Sequence, residues 1–151
     1  MGSYESLTSL PSSLEKLTSS PEFHLGRCTS LGALPNEIEK LSSLRLLDLS
    51  SCESLKDLPY GLGNLISLVK LCLVCCTKLS SIPESITQLK LLGSSMSFSL
   101  TGLKELPDGF FNPSFIENLD MEAWHTLEKP LYRFGEVTCL RLSNSVKVLC
   151  H

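Results

Sequence analysis

Five of the chain's eight prolines obey one period: Pro11, Pro35, Pro59, Pro83 and Pro107 follow one another at 24-residue steps. A fixed step of this length marks a chain that stacks like units, each too small to bury its own apolar face. Other columns keep the same step. Cysteine recurs at Cys28, Cys52 and Cys76, and leucine at Leu31, Leu55, Leu79 and Leu103. Leu34, Leu58, Ile82 and Leu106 precede the prolines, and Leu14, Ile38, Leu62, Ile86 and Phe110 follow them. Aligned, 41–64 reads LSSLRLLDLSSCESLKDLPYGLGN and 65–88 reads LISLVKLCLVCCTKLSSIPESITQ. The shared template is L-x-x-L-x-x-L-x-L-x-x-C-x-x-L-x-x-L-P-x-x-[IL]-x-x.

Each column has a physical meaning. The alternation in Leu47-x-Leu49 is that of a short strand whose leucines point inward while Leu46, Asp48 and Ser50 point outward. Cys28, Cys52 and Cys76 fall where the chain turns away from that strand. There an inward thiol fills a small apolar space and offers a weak donor to backbone groups of the neighbouring turn. Proline keeps the residue before it extended and suits the opening of a helix, so the Leu-Pro step predicts a short helix on the opposite side. Leu62 with Leu65, and Ile86 with Leu89, would form its inward face.

This template resembles the leucine-rich repeat. The resemblance implies an α/β fold: a curved, right-handed solenoid with a parallel sheet of short strands on the concave face and short helices or extended turns on the convex face. The whole chain, 1–151, reads as a single domain, with a partial repeat at 7–16 and full repeats at 17–40, 41–64, 65–88 and 89–112. Beyond that the template survives in outline, so 113–151 are read as degenerate terminal repeats or a cap. In 89–112 the strand's leucine slots hold Ser95 and Ser97. The strand therefore either keeps register, with Met96 and Phe98 outward, or slips by one so that both point inward.

Composition narrows the function. The net charge is -3 and the pI near 5.6, without the basic excess that nucleic acid or an anionic membrane surface would require. The N-terminus lacks the pattern of a secretory signal, and no apolar run approaches membrane-spanning length. Its Met-Gly start is read as a start codon or a cloning remnant rather than a lipidation signal. Seven cysteines cannot all pair, and the one Asn-x-Ser match, Asn112-Pro113-Ser114, is blocked by its proline. Both features point to a reducing, cytoplasmic setting.

Candidate chemistry centres on Cys72-Leu73-Val74-Cys75, a C-x-x-C that would supply two thiolates to zinc or to redox exchange. Zinc wants four ligands, and no second such pair accompanies it. No nucleophile elbow, H-E-x-x-H, P-loop or dinucleotide fingerprint is present. His24, His125 and His151 have no orienting acid or nucleophile that the sequence can name. The chain is therefore read as non-catalytic, with no cofactor and no metal.

What repetition provides is a set of variable outward side chains on the concave sheet. The candidate partner-binding residues are Glu22, His24, Leu46, Asp48, Lys70, Cys72, Val74, Met96, Phe98, Asn118 and Asp120. Leu46, Cys72, Val74, Met96 and Phe98 are apolar where solvent is expected, which suits a contact surface; ordinary surface variation is the competing reading. Cysteine in the ladder slot followed by L-P-x-x-[IL], as in LDLSSCESLKDLPYGLGNLISL, resembles the leucine-rich repeats of plant intracellular nucleotide-binding immune receptors. The resemblance covers about 7–112 and implies recognition of a pathogen effector, a host protein or other domains of a larger receptor, with autoinhibition of the switch. The alternatives are a general intracellular scaffold or adaptor unrelated to defence, and, more remotely, a thiol redox or zinc protein centred on Cys72 and Cys75.

Overall fold

A computed structural model describes residues 5–11, 13–14, 19–92, 96–99, 103 and 107–111, with backbone alone for 96–99 and 110–111. Four short strands, β1 (Glu22–His24), β2 (Leu46–Asp48), β3 (Lys70–Val74) and β4 (Met96–Ser99), form one parallel sheet in chain order. Glu22 pairs with Leu46 and Leu46 with Lys70, so the first three strands lie in register at the 24-residue step. On the other side of each turn lies a five-residue 3-10 helix, Asn36–Lys40, Tyr60–Asn64 and Glu84–Gln88, and a four-residue one, Asp108–Phe111.

The period of the buried residues explains why these helices are 3-10 rather than α. Ile38, Leu41 and Leu44 are buried at every third position, as are Leu62, Leu65, Leu68 and Ile86, Leu89, Leu92. Three residues per turn is the 3-10 repeat, so one backbone row of i→i+3 bonds keeps all of them inward. Those bonds run Ile38 N–H to Pro35 O at 3.2 Å, Leu41 to Ile38 at 3.0 Å and Leu44 to Leu41 at 2.9 Å, and recur in the next two turns. The prolines occupy the cap just before each helix, extended at ψ 153, 146 and 145, rather than its first turn. Their missing N–H removes nothing there.

In 41–64 the inward set is Leu41, Leu44, Leu47, Leu49, Cys52, Leu55, Leu58 and Leu62; all eight columns are buried again in 65–88, and in the preceding turn Leu25, Cys28, Leu31, Leu34 and Ile38 are. Neighbouring turns share these side chains in one continuous core, against which Leu7, Leu10 and Phe23 pack from a partly buried position. Backbone bonds tie the turns together at each strand end, Leu25 N–H to Asp48 O at 2.8 Å and Leu49 N–H to Cys72 O at 2.9 Å. The parallel bridges Ala33–Asp57 and Asp57–Ser81 add a second seam.

Two features depart from the template. β4 pairs one residue out of step: Met96 lies opposite Leu71 and Phe98 opposite Leu73. By pairing, the backbone positions of Met96 and Phe98 stand beside Leu71 and Leu73 rather than Lys70 and Cys72, which corrects the register on which their concave-face assignment rested. The physical reason is that Ser95 and Ser97 hold the leucine slots, and a one-residue slip moves every side chain of a strand to the other face. The second departure is a left-handed residue in each of three turns: Arg27, Ser51 and Cys75 have φ 66, 58 and 60. Each immediately precedes a ladder cysteine, where the chain swings from the sheet into the core.

Candidate partner-binding face

The pleat of β1 to β3 presents two cross-strand rows on the face of the sheet away from the leucine core, Glu22–Leu46–Lys70 and His24–Asp48–Cys72, and the 24-residue step continues them in Gly26, Ser50 and Val74. Glu22, His24 and Lys70 are exposed, while Leu46, Asp48, Cys72 and Val74 are half-buried among their neighbours. The structure thus brings these seven candidates onto one face of the sheet. Asn118 and Asp120 lie outside the described residues.

Asp48 is the most constrained group of the face. The Ser50 backbone N–H and the Ser50 hydroxyl both donate to its Oδ1, at 2.9 and 2.6 Å. Its Oδ2 stands 3.9 Å from His24 Nδ1, and His24 Nε2 is 3.1 Å from Glu22 Oε2. Gly26, two residues beyond His24, lies close against this group: a Cβ added to it would stand 3.1 Å from Asp48 Oδ2 and 3.1 Å from Ser50 Oγ. Sequence register puts Gly26 and Ser50 in an outward column but does not show the Ser50 bonds to Asp48, nor that Gly26 lies against that carboxylate, which depends on how the neighbouring strand stacks.

The thiols divide by position. Cys28, Cys52 and Cys76 are buried with no exposed surface. Cys52 Sγ donates to Leu25 O at 3.3 Å and Cys76 Sγ to Leu49 O at 3.2 Å, so each thiol satisfies a carbonyl one turn back. Burial pushes the Cys52 thiol up to about 12 and the Cys76 thiol up to about 11, and raises that of Cys28. Such thiols stay protonated and are poor nucleophiles. Cys72 is half-buried and Cys75 exposed. Burial raises the Cys72 thiol, with Lys70 opposing and Asp48 reinforcing the shift. Because β3 is extended through Val74, rising about 3.3 Å per residue, Cys72 and Cys75 stand roughly 10 Å apart at Cα, beyond the roughly 7 Å limit for a disulfide. Among the described residues no three His, Cys, Asp or Glu side chains are grouped to hold a metal ion. No helix among them is long and apolar enough to cross a membrane.

A parallel sheet of one short strand per 24 residues, backed by 3-10 helices around a leucine core, describes this geometry. It fits a leucine-rich repeat solenoid. Among solved structures, a leucine-rich repeat protein of Leptospira interrogans is similar over 78% of this chain and 34% of that one, at 25% identity and a TM-score of 0.47. The Arabidopsis receptor kinase HAESA, solved in complex with a peptide hormone and a co-receptor, is similar over 74% of this chain and 18% of that one, at 28% identity and a TM-score of 0.49. The chain thus spans about a third and about a fifth of these two proteins. No protein-family model and no curated protein matches the chain. The superpositions are partial, and the leucine-rich repeat reading stands on the register, burial and hydrogen bonding of this chain itself.

Proposed function

We propose that this chain is a non-catalytic protein-binding module that engages its partner through the concave sheet face. The observation that carries the reading is the half-buried apolar set Leu46, Cys72 and Val74, held on a surface where solvent-facing residues of a strand are ordinarily polar. The backbone beneath them is fixed by the core and by inter-turn hydrogen bonds, so the face is preorganised and little ordering opposes binding.

The finer assignment follows from the cysteine ladder and the L-P-x-x-[IL] step. On that ground we propose effector or host-protein recognition and autoinhibition in plant innate immunity, with the module acting in the cytoplasm. Its partner would be a pathogen effector, a host protein or another domain of a larger receptor, and it takes no cofactor. A general scaffold or adaptor role unrelated to defence uses the same face. The buried, protonated ladder thiols and the wide spacing of Cys72 and Cys75 weigh against the thiol-enzyme alternative.

The reading is tested by affinity purification of partners from plant cytosol with the wild-type chain and with Leu46→Glu and Lys70→Glu. Tyr60→Ser, on the convex side, serves as control, since Tyr60 is 67% exposed. Loss of a partner with the concave variants and its retention with the control is the expected pattern. Partners that ignore Leu46→Glu overturn it.

A further inference from the structure

We draw no further inference here: the strongest candidate, the exposed apolar pair Ile66 and Leu91 on the loops that follow the 3-10 helices Tyr60–Asn64 and Glu84–Gln88, carries none, because nothing in the structure shows what covers it.

Discussion

The Cys76 thiol donates a hydrogen bond of 3.2 Å to the carbonyl oxygen of Leu49, and Leu49 O also accepts the Cys52 backbone N–H at 3.1 Å. One carbonyl thus joins the ladder cysteine of its own turn to that of the next. Cys76→Ala removes a buried donor and a sulfur's volume, but leaves Leu49 O with one partner. The expected cost is about 1–2 kcal/mol of unfolding free energy, read as a lower urea midpoint at unchanged slope. A change below about 0.3 kcal/mol, within the ordinary range of surface substitutions, would show the ladder bond to be incidental.

Alkaline pH should weaken the fold through the same thiols. Burial pushes the Cys52 thiol up to about 12 and the Cys76 thiol up to about 11, above the 9.0 of a free thiol. Between these limits the unfolded chain has released protons that the folded chain retains. The stabilisation is therefore complete below pH about 9 and is lost as pH rises through the folded values, at up to about 1.4 kcal/mol per pH unit for each thiol. Urea midpoints at pH 8, 10 and 11 for wild type and for the Cys52→Ala, Cys76→Ala double variant isolate the effect. The double variant should show the shallower decline.

Gly63 and Gly32 should respond oppositely to alanine. A Cβ at Gly63 would press on the Ser85 carbonyl oxygen and stand 2.5 Å from Ser85 Cβ, whereas one at Gly32 would meet nothing within 4 Å. Ser85 cannot easily retreat, because it is buried and its hydroxyl donates to Tyr60 O at 2.6 Å. Gly63→Ala is expected to cost about 1–3 kcal/mol by overpacking, and Gly32→Ala to be neutral or to stabilise by up to about 1 kcal/mol. Thermal melts of the two variants check the pair. Equal shifts would mean that the 3-10 helices are not packed this closely.

Thiol labelling resolves the cysteines by position. Cys75, exposed, should react first and half-buried Cys72 more slowly, while Cys28, Cys52 and Cys76 wait for unfolding. Peptide mapping by mass spectrometry after brief alkylation gives the order site by site. Labelling of Cys76 at the rate of Cys75 would break the register of β3.

The consequences of the repeat differ in how far they could be read from the chain alone. The Leu47-x-Leu49 alternation and the cysteine column were legible because each reports only on its own turn. The left-handed turns were not, since Arg27, Ser51 and Cys75 include none of the glycine or asparagine that ordinarily marks such a backbone. Nor was the slip of β4, where a template of leucines met Ser95 and Ser97 and two registers competed until pairing with β3 set Met96 opposite Leu71.

The sequence by itself determined the unit: its 24-residue length, the residues that face inward, and the need for neighbouring turns, because apolar periodicity is a local property of the chain. Tertiary structure alone decided what one turn does to the next. The close approach at Gly26 depends on Asp48, the intolerance at Gly63 depends on Ser85, and the Cys52 and Cys76 thiols depend on carbonyls one turn back. These are contacts between residues about 22 to 27 positions apart, fixed by stacking rather than by local conformational preference.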